Sequence, residues 1–222
     1  MNKLEEYFYD KPHKFPVHKW HHYFEIYDRH FSKYVGKQPS VLEVGIDAGG
    51  GLEMFNDYFG EGCRLYGVDS THASNPRLEK ELPNVVELTK GDQGNVEFWK
   101  EYKERIPKFD IIIDDGGHHM KQQITTFECM YDHVKDDGIY LCEDLHTSYW
   151  HRWGGGYKRS GTFIEYTKNF IDYIHAWHTA DVADSHVSDI VFRKKTNSIH
   201  FYDSVVVLEK RADKEKPQVS RR

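Results

Sequence analysis

The sequence predicts an α/β protein with a doubly wound, mostly parallel sheet of seven strands that ends in an antiparallel hairpin. Apolar strand patterns alternate with helical patterns through five units between residues 41 and 142. This alternation is typical of a parallel sheet with helices on its faces. After one more helical pattern, two strand patterns lie on either side of turn-forming residues, which indicates the hairpin.

Length and composition favour a single domain. The chain has 222 residues, enough for one α/β domain with an ample core. We expect an irregular N-terminal arm over residues 1–18, the domain over 19–209 and a frayed tail over 210–222. The formal net charge of −6 gives no electrostatic footprint for nucleic acid or an anionic membrane.

No apolar run has the length of a membrane span or the form of a signal peptide. The three cysteines lack CxxC spacing and are expected to be reduced thiols. We therefore expect a cytoplasmic protein that does not insert into membranes or bind nucleic acid. A homo-oligomer is compatible with the sequence.

The first functional signal is a glycine-rich turn after a core strand at residues 41–44. The turn contains Gly45, Asp47 and the glycines 49–51, and a helix is expected over residues 52–58. A strand, a glycine-rich turn and a helix let a cofactor approach the backbone closely. The spacing is not GxGxxG, so a dinucleotide fingerprint is not indicated.

Acidic residues follow the next two strands, at residues 64–68 and 84–90. Asp69 is placed to accept hydrogen bonds from ribose hydroxyls, or else it caps the turn that follows. Asp92 and Gln93 are placed to read adenine, and Asp92 is also a candidate N-cap for a helix over residues 96–105. Asp69 combined with the glycine turn favours an adenosine-type ligand.

Two apolar runs that end in acids form the centre of the sequence. The strand at residues 109–114 is expected to be buried on both faces, and Asp115 and His118 follow it. The next strand, at residues 139–142, is followed by Glu143 and Asp144. Because ligands of parallel sheets bind at the carboxyl ends of the strands, these side chains are expected to meet at one rim if the strands are neighbours.

Aromatic residues flank this centre on both sides. Residues 20–34 have aromatic side chains at helical spacing, which predicts either a helix packed on the sheet or one that covers a cofactor pocket. Residues 146–161 lack periodicity and contain two tryptophans, which favours a substrate lid with aromatic platforms. Further along we expect a helix over 162–177 and strands over 188–193 and 200–209, with a hairpin turn at 196–198.

The motifs VLEVGIDAGGG, GVDS, GDQ, DIIIDDGGHH and IYLCEDLHTSYW occur in this order. Together they resemble class I S-adenosylmethionine-dependent methyltransferases with a Rossmann-like fold. More narrowly, they are similar to the metal-dependent sugar O-methyltransferases of macrolides and glycans, in the superfamily of cephalosporin-hydroxylase-like proteins. The DDGGH motif followed by ED is more specific than the glycine turn. Gly117 departs from this pattern, because serine is more usual there.

The resemblance implies a role for each matching residue. A sugar or glycan is the implied acceptor, for example a deoxyhexose such as rhamnose. His118 is the implied general base, and Asp115, Glu143 and Asp144 are the implied ligands of a divalent metal, Mg²⁺ or alternatively Mn²⁺. The residues implied to bind S-adenosyl-L-methionine are Glu43, Gly45, Asp47, Gly51, Asp69, Asp92, Gln93 and Asp114.

Physical chemistry supports the metal assignment with one geometric condition. Carboxylates at the ends of strands about 4.8 Å apart can share one cation, and all-oxygen ligands favour Mg²⁺ or Mn²⁺ over zinc. Adjacent residues in a strand point to opposite faces, so Glu143 and Asp144 can both bind the ion only if the chain leaves the strand at Asp144. Otherwise the acids of both motifs would be helix caps and solvated strand ends.

Two other functions remain open at this point. A hydroxylase of the cephalosporin type would need a redox-active metal, and the sequence has no two-histidine-one-carboxylate set at an obvious spacing. A non-catalytic module would bind the cofactor or a glycan without chemistry. The complete set of acids and His118 argues against this second alternative. Nearby His119 and His146 compete with His118 for the role of base.

Overall fold

The computed structural model describes residues 1–71, 76–178, 192–212 and 218–220. Within these ranges, seven strands form one sheet. The strands are β1 Ser40–Val44, β2 Arg64–Asp69, β3 Val85–Lys90, β4 Phe109–Asp114, β5 Val134–Cys142, β6 Thr196–Tyr202 and β7 Val205–Lys210. The helices are α1 Lys3–Asp10, α2 Tyr23–Phe31, α3 Gly50–Phe59, α4 Pro76–Glu81, α5 Val96–Arg105, α6 Met120–Met130 and α7 Phe163–His175.

The strand order is β3-β2-β1-β4-β5-β7-β6. The first five strands in this order pair in parallel, and β7 pairs antiparallel with both β5 and β6. The chain thus builds the sheet outward from β1 in one direction and then from β4 in the other. In such a sheet the ligand crevice lies where the order reverses, at the carboxyl ends of β1 and β4. The predicted fold class is confirmed.

Each face of the sheet carries its own apolar layer. Ile111 and Ile113 pack with residues of α1, α2 and α3, whereas Ile112 packs on the other face with residues of α5, α6 and α7. All three isoleucines are fully buried. The predicted burial of this strand on both faces is therefore confirmed, and β4 lies at the centre of the sheet.

We predicted an irregular N-terminal arm, but this arm contains a helix. Asn2 accepts hydrogen bonds from the backbone of Leu4 and Glu5, and the Glu5 carboxylate accepts one in return from the backbone N–H of Asn2. This capping box starts α1, which buries Leu4 and Tyr7 in the core. We did not predict this helix, because its apolar residues are few and are separated by charged ones.

The predicted hairpin is present, but its turn is not at residues 196–198 as we predicted. The chain reverses at Asp203 and Ser204, where Ser204 has φ +64°, and residues 196–198 belong to β6. The predicted strand over 188–193 lies mostly outside the described residues, and its last two residues are helical. Most of the predicted tail also lies outside the described residues. No helix in the described part of the chain has the length and apolarity to cross a membrane.

Candidate active site

A cavity of about 340 Å³ opens at the carboxyl ends of β1 and β4. Gly45 and Asp115 lie side by side at its floor: Gly45 has φ +87°, and a Cβ atom there would come within 2.1 Å of the Asp115 carbonyl oxygen. Glycine is therefore required for this close approach. The predicted site residues that line the cavity are Gly45, Asp47, Asp69, Asp92, Gln93, Asp115, His118 and Asp144.

Asp69 organises one wall of the cavity. Its carboxylate accepts hydrogen bonds from the backbone N–H groups of Ile46 and Asp47 at 3.1 and 3.2 Å. Its other oxygen accepts from the Thr71 backbone and hydroxyl, so the turn-capping role considered above is observed. Asp69 thus fixes the glycine turn against β2. Ribose binding by this side chain stays a prediction.

The adenine side of the cavity differs in detail from our expectation. Asn95, and not Asp92, is the N-cap of α5, and Asp92 instead accepts a hydrogen bond from Gly94. The Gln93 amide donates to Asp114 and Thr126 and accepts from Gly117. Both N–H groups of the Gln93 amide are thus in use, so a side-chain hydrogen bond to adenine would be accepted by the second lone pair of its oxygen.

Glu43, Gly51, Asp114 and Glu143 do not line the cavity. Asp114 lies behind the wall, where it accepts hydrogen bonds from Gln93 and Tyr140. Glu43 lies beneath the N-terminus of α3, and a Cβ at Gly51 would come within 2.0 Å of its carboxylate. One buried oxygen of Glu43 has no hydrogen-bond partner among the described residues. Such an atom is suited to accept a hydrogen bond from a ligand.

The acidic rim is formed by the tips of β4 and β5, which are neighbours as predicted. Asp115, His118 and Asp144 each direct a potential ligand atom to one point, and these atoms lie within 4.8 Å of one another. The His118 Nε2 atom is 3.4 Å from an Asp144 oxygen and 4.0 Å from an Asp115 oxygen. This set suits a hard divalent cation through its carboxylates.

The sequence analysis required that the chain leave the strand at Asp144 if Glu143 and Asp144 are both to reach one ion, and the structure meets this condition. Strand β5 ends at Cys142, and Asp144 adopts the left-handed conformation with φ +57° and ψ 34°. The chain therefore turns away from the strand at Asp144. The Tyr23 hydroxyl donates to the Asp144 carboxylate at 2.7 Å and holds it at the rim.

Lys19 is the principal site residue that the sequence did not reveal. Its ammonium donates to Asp115 and, at 2.6 Å, to Glu143, and lies 3.9 Å from Glu43. Its side chain is 4% exposed. A lysine in a polar segment before an aromatic helix carries no spacing signal that would separate it from the surface lysines of the same segment.

The two oxygens of Asp115 therefore face different partners. One oxygen binds Lys19, and the other faces His118. Glu143 lies on the lysine side, where Tyr27 donates to its second oxygen. Helix α2 thus packs on the sheet, as in the first account, and its Tyr23 and Tyr27 reach the rim acids, but no residue of α2 lines the cavity. Glu143 can ligate an ion only if one of these contacts is broken, and its ligand role stays a prediction.

Burial controls the protonation of the rim. It raises the pKa of Asp115 to about 7 and that of Glu143 to about 8, although Lys19 opposes both shifts. Burial also lowers the pKa of His118, with Asp144 acting in the opposite direction. The Nδ1 atom of His118 is buried and lacks a partner within the described ranges. His118 is therefore a neutral imidazole near pH 7, able to accept a proton.

An aromatic surface borders the rim. His146 contacts Trp20 on one side and Trp150 on the other, with ring centroids 5.5 and 4.5 Å apart. Trp20 and Trp150 are about half exposed. Trp150 lies between two short 3₁₀ turns, Leu145–Tyr149 and His151–Trp153. Exposed rings beside a polar cavity are typical of a surface that contacts a ligand.

Comparisons with known proteins find similar sequences and a similar fold. No protein-family model matches the chain. The mycinamicin VI 2''-O-methyltransferase of Micromonospora griseorubida is 32% identical over 197 residues, which are 83% of this chain and 47% of that protein. The 8-demethyl-8-alpha-L-rhamnosyl tetracenomycin-C 2'-O-methyltransferase of Streptomyces olivaceus is 30% identical over 220 residues, which are 91% of this chain and 54% of that protein.

A solved structure gives the same result at the level of the fold. The MycE methyltransferase from the mycinamycin biosynthetic pathway, in complex with Mg and SAH, superimposes with a TM-score of 0.79 and 28% sequence identity. The match covers 95% of this chain and 54% of that one. The chain therefore spans about half the length of the relatives it matches. The resemblance predicted from the motifs, and the class I methyltransferase fold, are confirmed.

Proposed function

We propose, from the class I methyltransferase fold that this chain shares with sugar O-methyltransferases, that it transfers a methyl group from S-adenosyl-L-methionine to a sugar hydroxyl with the help of a divalent metal. The observation that carries this proposal is the convergence of Asp115, His118 and Asp144 at the mouth of the cavity. Two carboxylates and a neutral imidazole at one point provide both an ion site and a base.

The cavity wall would hold the methyl donor. Gly45 and Asp47 would lie against its methionine part, with the free oxygen of Glu43 available below them. Asp69 would accept hydrogen bonds from its ribose, and Asp92 would lie beside its adenine. Gln93 would lie beside Asp92 in the wall, and Asp114 and Gly51 would act from behind it by fixing the groups in front of them.

Asp115 and Asp144 would hold Mg²⁺ or Mn²⁺ at the rim, with Glu143 joining them if it leaves Lys19. A bound divalent ion lowers the pKa of a hydroxyl that it contacts by several units. His118 would accept the proton of the sugar hydroxyl, since burial keeps its imidazole neutral. The glycine turn and the rim would align the hydroxyl oxygen with the donor methyl group, and this alignment is the main contribution of the protein.

The acceptor would be a sugar on a glycan or glycoside, with a deoxyhexose such as rhamnose as the first candidate. Such sugars present apolar C–H faces, for which Trp20 and Trp150 provide matching surfaces beside the rim.

The test is methyl transfer from labelled S-adenosylmethionine to a panel of deoxyhexosyl glycosides, with Mg²⁺ or with chelator. Asp144→Asn should abolish turnover and weaken Mn²⁺ binding, while cofactor affinity stays within about threefold because Asp144 lies at the metal side. Asp172→Asn, at an exposed position on α7, is the matched control and should behave as wild type. Turnover that survives both the chelator and Asp144→Asn would refute the metal-assisted mechanism. Cofactor binding without transfer to any acceptor would favour a binding module instead.

A further inference from the structure

A second group of potential metal ligands lies away from the cavity, where α2 packs against the C-terminal hairpin. His30 comes from α2, His200 from β6 and Glu209 from β7. One ligand atom from each lies within 4.8 Å of the others. Glu209 pairs in the sheet with Ile139, three residues before the tip of β5, so this group is separate from the acidic rim.

Hydrogen bonds already hold these side chains in place. His30 Nδ1 is hydrogen-bonded to one Glu209 oxygen at 2.8 Å, and His200 Nε2 is hydrogen-bonded to the Ser198 hydroxyl at 3.0 Å and lies 3.8 Å from the other Glu209 oxygen. The second ring nitrogen of His30 is 2.9 Å from the Tyr202 hydroxyl. Ser198 donates to Glu209 at 3.0 Å. The group is therefore preorganised by its neighbours and does not depend on an ion to form.

The Tyr202 hydroxyl makes His30 suitable as a ligand. While His30 Nδ1–H donates to Glu209, Nε2 can accept from this hydroxyl. When an ion takes Nδ1, the proton moves to Nε2, which can then donate to the same hydroxyl oxygen. A histidine ligand normally donates its other ring N–H to such a partner, which fixes its tautomer and orientation.

The exposure of the three side chains also fits an ion site. The His30 side chain is 3% exposed, whereas Glu209 is 26% and His200 is 37% exposed. The site is thus closed by the protein on one side and open to water on the other. Water can complete the four ligands of a tetrahedral ion.

We propose that His30, His200 and Glu209 form a binding site for a first-row transition metal ion, with zinc as the first candidate. Two imidazoles and one carboxylate select zinc, cobalt, nickel or copper over magnesium. The ion would join the outer strand β6 to α2 and so fasten the edge of the sheet to the helix that supplies Tyr23 and Tyr27 to the rim. The proposal does not depend on the proposed function.

The test measures zinc binding by calorimetry on tag-free protein. This protein carries Asp144→Asn, so that the rim lacks one of its three potential metal ligands. One zinc ion should bind per chain, and Co²⁺ should give the visible absorption of a site with nitrogen ligands. His200→Ala should weaken zinc binding by more than tenfold, since loss of even an outer partner costs about 10–100-fold. His133→Ala, a histidine bonded to the Pro107 carbonyl elsewhere on the surface, is the matched control and should leave binding unchanged.

Tyr202→Phe provides a second variant that removes no ligand. It should weaken zinc binding by about tenfold while circular dichroism stays that of the parent. The proposal is overturned if zinc does not bind at micromolar to millimolar concentrations, or if His200→Ala and His133→Ala bind it equally. Methyl transfer with Mg²⁺ should be unchanged when His200→Ala is made in the chain that keeps Asp144, so failure of this site and failure of the proposed function are distinguishable.

Discussion

Single residues at the rim adopt conformations that ordinary strand ends do not require. His118 and Asp144 both have φ +57°, in the left-handed region that non-glycine residues adopt at a cost. These two side chains face each other at 3.4 Å. The backbone is thus turned at both positions so that an imidazole and a carboxylate from separate strands meet. In the proposed function, this strain supports the placement of the base against the metal site.

His118→Ala should lower the turnover number by about 10²- to 10⁴-fold, the usual contribution of a general base. The dissociation constant for S-adenosylmethionine should stay nearly unchanged, because His118 lies on the metal side of the cavity. Single-turnover rates and equilibrium cofactor binding separate the two effects. His133→Ala is the control, since its ring nitrogen is bonded to the Pro107 carbonyl and it does not line the cavity. A near-normal rate in His118→Ala would assign the base to another group.

The pH profile of the wild type gives an independent check on His118. Because burial lowers the pKa of His118, its imidazole stays mostly unprotonated until the pH falls below about 6.5, the ordinary pKa of histidine. At saturating Mg²⁺, which keeps the rim carboxylates ionised, turnover should therefore fall only below that pH, as the imidazole gains its proton. An acid limb that is unchanged in His118→Ala would show that the limb belongs to a different group.

At the scale of elements, the segment before α2 is the part of the site that we did not predict from the sequence. Three consecutive residues have different roles there: His18 lines the cavity, Lys19 is buried between carboxylates, and Trp20 contacts His146. The segment therefore contributes to the cavity, the rim and the aromatic surface at once. The capping box of α1 and the core contacts of Phe15 hold it in position.

Lys19→Met tests the role of this segment. Burial lowers the pKa of Lys19, but attraction by Asp115, Glu143 and Glu43 raises it well above its usual value, so the side chain is a permanent cation. Its removal leaves buried carboxylates unpaired, which should cost about 3–5 kcal/mol in the free energy of unfolding without metal. Mg²⁺ should then bind more tightly than in wild type and restore more stability, because the ion would supply the missing charge.

Lys11→Met is the matched control for Lys19→Met. Lys11 precedes the same segment, but its ion pair with Asp57 is exposed. Its loss should change stability by less than about 1 kcal/mol. Denaturant unfolding with and without Mg²⁺, together with Mn²⁺ titration, measures both variants. Weaker metal binding in Lys19→Met would mean that Lys19 positions the metal ligands instead of competing with the ion for them.

Strong local patterns determined which elements could be predicted from the sequence. Strand β4 and helix α5 were predicted with their observed bounds, because three isoleucines before two acids, and a helix between Asn95 and Pro107, leave few alternatives. The hairpin turn was misplaced because Asn197 and Ser198 are as typical of turns as Asp203 and Ser204. Lys19 was missed because its role depends on contacts with residues 96 and 124 positions further along the chain, which no local pattern encodes.

At the scale of the whole molecule, buried acids make stability depend on pH. Burial raises the pKa of Glu43, Asp114 and Asp115 to about 7 and that of Glu143 to about 8. A carboxyl group with a raised pKa binds its proton more tightly in the folded protein than in the unfolded chain. The stability that this proton provides is complete below about pH 4, the pKa of the carboxyl group in the unfolded chain. It is lost as the pH rises from there through the pKa of the group in the folded protein.

Between pH 6.5 and 8, the metal-free protein should therefore become less stable as the pH rises. Histidines with lowered pKa values, such as His30, destabilise the fold only below about pH 6.5, and so do not act in this window. Each carboxyl group that is protonated in the folded protein and releases its proton on unfolding lowers the stability by up to about 1.4 kcal/mol per pH unit. Thermal unfolding in the presence of chelator measures this slope.

Asp114→Asn should make this slope shallower, because it removes one titrating carboxyl group that lies behind the cavity wall and keeps a similar shape. Asp172→Asn, on the exposed face of α7, should leave the slope unchanged. Mg²⁺ should stabilise wild type more at pH 8 than at pH 6.5, since ionised carboxylates bind the ion better than protonated ones. Stability of the metal-free protein that stays level or rises between these two pH values would mean that the rim acids are already ionised at pH 6.5. The charge of Lys19 would then be sufficient to hold them.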